Sequence, residues 1–314
     1  MRDYASIIKG LPDSVPFVGP ETQERQNKIK FDARLGANES VFGPSPLALE
    51  AMKKASYKSW MYGDPENYEL KCAISNYHKV DLENIIVGEG IDSLLGYLAR
   101  LFVEPSVNVV TSNGAYPTFN YHIAGYGGTL NYVAYKNDFE DIEGLLDKAR
   151  TTKASIIYLA NPDNPMGTWH SATDVENLIK SLPSTTLLCL DEAYSDFLSE
   201  KDLPSISIDN PNVIRLRTFS KAYGMAGARV GYGIGVSHLM KAFDRIRNHF
   251  GVNLIAQHGA IAALSDQAYL GSVKRKVEIA KKKISAIALA NDLLPLQSGA
   301  NFVAIDCKQG TKFA

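Results

Sequence analysis

Lys221 and Arg229 lie eight positions apart in the stretch Arg215–Gly235, RLRTFSKAYGMAGARVGYGIG, and the residue types around them limit the chemistry open to the chain. The apolar run Val213–Leu216 reads as a buried strand, after which Thr218, Ser220, Gly224 and Gly227 break the pattern into a loop. Lys221 therefore falls just past a strand's carboxyl end. Ligands of open α/β sheets bind at that edge, and a lysine held there away from bulk water can lose its proton and act as a nucleophile. Arg229 adds a guanidinium and Ser220 a hydroxyl, both suited to a phosphate. A lysine able to condense with an aldehyde, beside such a phosphate cradle, is what a pyridoxal 5'-phosphate site needs.

Other residues extend the same chemistry. Asp191, thirty positions before Lys221, closes the buried run in TTLLCLDEAYSDF, and a carboxylate there needs a charged partner to offset its desolvation. A protonated pyridine nitrogen would be that partner and would keep the ring able to accept electrons. Asn164 in ANPDNPMG and Tyr194 after Asp191 are candidate donors to the cofactor's phenolic oxygen. In VGEGIDSLLGYLARLF a strand and two glycines lead into an apolar helix, so the first amides at Gly90, Ile91 and Asp92 form an anion site. With Ser220 and Arg229 they would hold one phosphate. Phe119 in AYPTFNYH is the candidate ring for stacking on the pyridine face. A dinucleotide fingerprint in GEGIDS is disfavoured, because its third glycine position is Ser93 and the lysine site would go unexplained.

The elements that must position these residues alternate along the chain. Apolar or β-branched runs at 85–87, 107–111, 129–132, 156–160, 187–190 and 213–216 read as strands, with helices expected over 92–102, 117–126, 139–149 and 172–181 between most of them. Such alternation implies a mainly parallel sheet covered by helices on both faces. The run 230–234 follows Lys221 too closely for a helical crossover and is expected to run antiparallel. Residues 1–30 read as an arm that orders by docking on something larger, 267–291 as a long charged helix, and SGANFVAIDC as a lone strand of a second, smaller domain.

Composition sets outer bounds. At 314 residues, 45% hydrophobic, 21% charged and with net charge −1, the chain has the profile of an ordinary globular protein. There is no long basic tract and no uninterrupted apolar run of spanning length, so neither a nucleic acid nor a membrane is expected as partner. The N-terminus carries charges and prolines where a signal peptide needs an apolar segment, which makes the cytoplasm the expected location. Cys72, Cys189 and Cys307 lack ligand spacing and are expected to be reduced, mostly buried thiols, with no metal.

SKAYGMAGARVGY, DEAY, NPDNPMG and GEGID together resemble the pyridoxal-phosphate-dependent aminotransferases of fold type I, over residues of about 31 to 305. ANES around Asn38 and the YGDPE turn at Tyr62 place the resemblance nearest the histidinol-phosphate aminotransferase subgroup. The resemblance implies an α/β, three-layer αβα fold with a mainly parallel seven-stranded sheet and a second, smaller α+β domain. The expected division is an arm over 1–30, a small domain from 31–60 and 245–314, and a large cofactor-binding domain over 61–244. It also implies Lys221 as the lysine bonded to the cofactor, Asp191 as the partner of the ring nitrogen, Asn164 and Tyr194 as ligands of the phenolic oxygen, and Ser220 and Arg229 as phosphate ligands. Asn38 and Tyr62 are expected near substrate, and Tyr62 also at the cofactor, by crossing into the site of a second subunit, which makes a homodimer the expected assembly. Two departures stand out. Ile91 occupies a position where the family carries a serine, and the family's arginine for the substrate carboxylate belongs to a segment beyond Ala314, so the small domain is expected to be incomplete at its C-terminal end. The expected reaction is transfer of an amino group between an amino acid or amino-alcohol phosphate and a 2-oxo acid. A decarboxylase or lyase of the same fold, similar to threonine-phosphate decarboxylase, and a cofactor-free binding protein are the alternatives.

Overall fold

The computed structural model describes residues 3–9, 11, 17–206 and 208–308. Its centre is a seven-stranded sheet of β1 (Ile85–Gly88), β2 (Asn108–Ser112), β3 (Thr129–Val133), β4 (Ile156–Ala160), β5 (Leu187–Asp191), β6 (Val213–Thr218) and β7 (Gly231–Gly235), in the order β1-β7-β6-β5-β4-β2-β3. Pairing is parallel from β3 to β6, whereas β7 runs antiparallel to both β6 and β1. That is the direction expected from the short Lys221 loop, and it leaves the carboxyl ends of β1, β4, β5 and β6 on one edge.

Strand alternation sorts the core into layers. Ile156, Tyr158, Cys189, Ile214 and Leu216 face the helices Ile91–Phe102, Pro117–Gly125 and Ser237–Asp244. The intervening Ile157, Leu159, Leu188, Leu190 and Val213 face the helices Ile142–Thr152 and Ala172–Ser181. Beside the latter, Ile85, Val87, Tyr232 and Ile234 join residues of the helices Pro46–Ser56, Tyr68–His78 and Leu254–Ser265. The result is a three-layer αβα arrangement. β4, β5 and β6 are buried on both faces, which is why β4 and most of β5 read as continuous apolar runs, whereas the edge strand β3 is partly exposed.

Some expectations shift in detail. The helix expected from Phe139 begins at Ile142, where Asp141 accepts a hydrogen bond from the Gly144 amide as its cap. In SGANFVAIDC only Ile305–Asp306 is a strand, and it pairs antiparallel with Leu294–Pro295 rather than standing alone. The arm over 1–30 falls partly outside the described residues; its helices Ser6–Lys9 and Pro20–Asn27 bury no residue. The end of the expected small domain, 309–314, lies outside them entirely. Among the described residues no helix is long and apolar enough to cross a membrane, and no group of metal-ligating side chains is present. The three cysteines are unpaired; only Cys189 is fully buried, while Cys72 and Cys307 are half-exposed.

Candidate active site

Strand register assembles the site. Gly231 pairs with Gly88 at the end of β1 and with Thr218 at the end of β6, while Asp191 pairs with Leu216 on one side and Ala160 on the other. GEGID, NPDNPMG, DEAY and the Lys221 loop thus leave the sheet side by side.

Lys221 is half-buried. Its Nζ donates to the Ala37 carbonyl at 2.7 Å and lies 5.7 Å from the centre of the Tyr194 ring. Burial lowers its pKa, helped by Arg229 and opposed by Glu39 and Asp191, so the amine is easier to deprotonate than an exposed lysine. The loop behind it cannot carry a side chain at Gly224, where φ is +67° and a Cβ would collide with the Gly43 carbonyl. The Tyr269 hydroxyl donates to the Phe42 carbonyl at 2.7 Å from the long helix Gln267–Ala290, pinning the same segment. Residues 37–43 therefore close over Lys221.

Tyr194 is 3% exposed and accepts a hydrogen bond at 3.1 Å from the Asn38 amide, and burial raises its phenol. Asn38, in the left-handed region at φ +53°, in turn offers its carbonyl to the Asn301 side chain at 2.9 Å. Phe302 meets the Tyr194 ring edge-on at 5.3 Å between centroids. Asn164 is half-buried in the turn after β4, whose first amide, at Asn161, donates to the Asp191 carbonyl at 2.8 Å.

Asp191 is 5% exposed; burial pushes its pKa up to about 6, against the pull of the Tyr158 hydroxyl and the Ala193 amide. The Tyr158 hydroxyl donates at 2.8 Å and the Ala193 amide at 3.0 Å. Neither partner is a cation.

The residues expected around an anion lie near one another. Gly90 caps the helix Ile91–Phe102 at φ +85° without any side-chain cap; its own amide, expected to face the anion, donates instead to the Gly88 carbonyl at 2.8 Å, which leaves the Ile91 and Asp92 amides as the candidates. A Cβ at Gly90 would stand 2.6 Å from Arg229 Nη2, which itself donates to the Glu89 carbonyl at 3.4 Å. The guanidinium thus lies against the bare glycine. Thr218 donates through its hydroxyl to the Ser220 hydroxyl at 2.9 Å, placing two hydroxyls on the next loop.

Phe119 is a correction. It is 0% exposed and stacks on Tyr158 with centroids 4.4 Å apart at 16°, so it offers no free face to a ligand. It occupies the core face of its helix with Ile123, four residues on, a spacing that marks core. Tyr116, at the start of that helix and half-exposed, lies within electrostatic reach of Asp92, Asp191 and Arg229. Tyr62 is 77% exposed and stacks on Phe250 at 4.5 Å. Sequence reading does not single out Tyr116, three positions before Phe119 in the same motif, or Thr218, two before Ser220; Tyr158 is supplied by long-range register and Asn301 by a segment read as a plain strand.

Comparison with known proteins gives the same picture. The family model for aminotransferase class I and II matches residues 32–305. The histidinol-phosphate aminotransferase of Moorella thermoacetica is 32% identical over 97% of this chain and 80% of its own length. The crystal structure of histidinol-phosphate aminotransferase from Sinorhizobium meliloti in complex with pyridoxal-5'-phosphate superposes with a TM-score of 0.96 at 50% identity, covering 100% of this chain and 84% of the other. Aspartate aminotransferase from Thermus thermophilus, solved with maleate, shares the fold at a TM-score of 0.84 and 21% identity, covering 100% of this chain and 87% of its own.

Proposed function

We propose, from the premise that the chain belongs to the class I and II aminotransferases, that it transfers the amino group of an amino-alcohol phosphate of the histidinol-phosphate type to a 2-oxo acid. The supporting observation is the 50% identity over the whole chain to the Sinorhizobium meliloti enzyme, joined to a site whose residues suit that enzyme's cofactor.

The fit of pyridoxal phosphate is tested by this chain's own groups. The first amides of the helix, at Ile91 and Asp92, with Ser220, Thr218 and Arg229, would make an anion cradle; the Gly90 amide is spent on the Gly88 carbonyl at 2.8 Å, and a Cβ at position 90 would strike the Arg229 guanidinium. Asp191 is a buried carboxylate supplied with neutral donors alone, suited to a cationic ring nitrogen. Asn164 and Tyr194 would hold the phenolic oxygen, and Tyr116, in place of Phe119, would cover a ring face. When bound, the cofactor supplies an electron sink for the bond broken at the substrate's Cα. Lys221, its pKa lowered by burial, can take the proton from that Cα and return it at the cofactor's C4′. Asn38, through Tyr194, orders the wall opposite. Tyr62 belongs to a second subunit's site in this reading, where its exposed ring, stacked on one side by Phe250, would reach across a two-fold dimer.

The test loads purified protein with pyridoxal phosphate, reduces it with borohydride and maps the adduct, then measures half-reactions with histidinol phosphate and with aromatic amino acids. The expected result is an adduct on Lys221 and the fastest half-reaction with histidinol phosphate. An adduct on another lysine overturns the site, and preference for an amino acid carrying a carboxylate overturns the donor class.

A further inference from the structure

Tyr158 lies in the middle of β4, paired in register with Cys189, yet its hydroxyl reaches two residues along β5 to Asp191 at 2.8 Å. Both residues point to the same face of the sheet, and Tyr158 is 0% exposed. A buried tyrosine hydroxyl needs an acceptor, and Asp191 is the acceptor this face provides. The ring cannot swing away, because Phe119 is stacked on it at 4.4 Å and 16°. The other Asp191 oxygen accepts from the Ala193 amide at 3.0 Å. Asp191 is thus held by a backbone amide and by one side chain that can be changed without disturbing that amide.

We propose that Tyr158, braced by Phe119, is a positioning residue that orients Asp191 and keeps it ionised, so that it can receive a cationic ring nitrogen; this rests on the cofactor reading above. The surroundings of Asp191 make the hydroxyl necessary. Lys221 favours the carboxylate, while Glu192 next in sequence opposes it. Glu140, which acts on both Tyr158 and Asp191, has its own pKa raised to about 8 by burial. Tyr116, Tyr194 and Cys189 are all shifted upward by burial and bring no positive charge. With burial already holding Asp191 near 6, removing one of its two donors moves protonation into the neutral range.

The experiment compares wild type and Tyr158→Phe, which keeps the ring and its stack, by the dissociation constant of pyridoxal phosphate between about pH 6 and pH 8.5, followed by absorbance. A neutral Asp191 must give up its proton to pair with the ring nitrogen, so the defect is greatest at low pH. The expected ratio of constants, variant to wild type, is roughly tenfold or more near pH 6 and falls below about threefold near pH 8.5. Phe119→Leu, which frees the ring without removing the hydroxyl, should show the same trend at smaller size. A ratio that does not change with pH reflects structural damage alone and overturns the proposal, as does an unchanged constant. Wild type that fails to bind the cofactor at all would instead overturn the functional reading on which this one rests.

Discussion

Asp191 and Glu192 are neighbours at the end of β5, both carboxylates and both buried, at 5% and 1% exposure, yet their surroundings are opposite. Glu192 turns to the face where Arg215 and Arg217 of β6 reach it. Nε of each arginine donates at 3.0 Å, and Arg215 adds a second contact through Nη2. Burial pushes the Glu192 carboxyl up, but the two guanidinium groups overcome it and hold the pKa down to about 2. Asp191 turns to the other face, meets neutral donors only, and is pushed up to about 6. Burial alone therefore does not identify a working carboxylate. The one whose charge is already matched is part of the frame, and the one whose charge is left unmatched is open to a ligand's cation.

The contrast can be broken most forcefully at the frame. Glu192→Gln leaves Arg215, 3% exposed, without its counter-charge and Arg217, 5% exposed, with Asp196 alone at 3.8 Å, and is expected to cost about 3–5 kcal/mol of stability. Chemical denaturation at neutral pH checks the size. The sign of its pH dependence checks the cause. Glu192 has a folded pKa below its unfolded one, so its contribution is full above about pH 4.5 and fades as pH falls toward about 2. The gap between variant and wild type should close over that window, and a gap independent of pH would mean that the loss comes from packing.

The second break is at the working carboxylate. Asp191→Asn keeps the size of the side chain but cannot carry the negative charge that the ring nitrogen requires, and turnover is expected to fall by about 10²–10³. Cofactor should still be retained through Lys221 and the anion cradle. Turnover within about twofold of wild type would remove Asp191 from the chemistry and reduce the contrast to one of packing.

How much of this contrast could be read from the sequence depends on the range of the interactions that create it. Lys221, Asp191 and the GEGID amides were legible because each follows an apolar run, and strand ends in such sheets fall on one edge. The antiparallel entry of β7 followed from the shortness of the loop before it. Arg215 and Arg217 alternate with Leu216 in an otherwise apolar strand, which signals a buried charged layer, but their partner is set by the register of Leu190 with Arg215 and of Asp191 with Leu216. The Tyr158 hydroxyl is hidden in the same way, since IIYLA looks like plain core until β5 is laid beside it. Phe119 could have been placed correctly from its i,i+4 spacing to Ile123, whereas Asn301 and Phe302, looking like strand, gave no local sign that they meet Asn38 and Tyr194.

The smallest expected effect separates the two carboxylates most cleanly, because it reverses the usual sign of a mutation. In the protein without cofactor, Asp191 has a folded pKa of about 6, above its unfolded value near 3.8. A carboxyl shifted upward favours the protonated folded state, so the stability it supports is present below about pH 4 and is lost as pH rises through about 6. Above that point the ionised, unmatched group costs about 3 kcal/mol. Asp191→Asn removes the ionisation while leaving an acceptor for the Tyr158 hydroxyl and the Ala193 amide. The cofactor-free variant should therefore equal wild type near pH 4 and exceed it by that amount near pH 8, when both are unfolded by denaturant. Saturating pyridoxal phosphate should shrink or reverse the difference, since a ligand cation matches the wild-type charge and gains nothing from the amide. If the cofactor-free variant is no more stable than wild type at pH 8, Asp191 is matched by some group of the protein itself, and the division between frame and working carboxylate at the end of β5 does not hold.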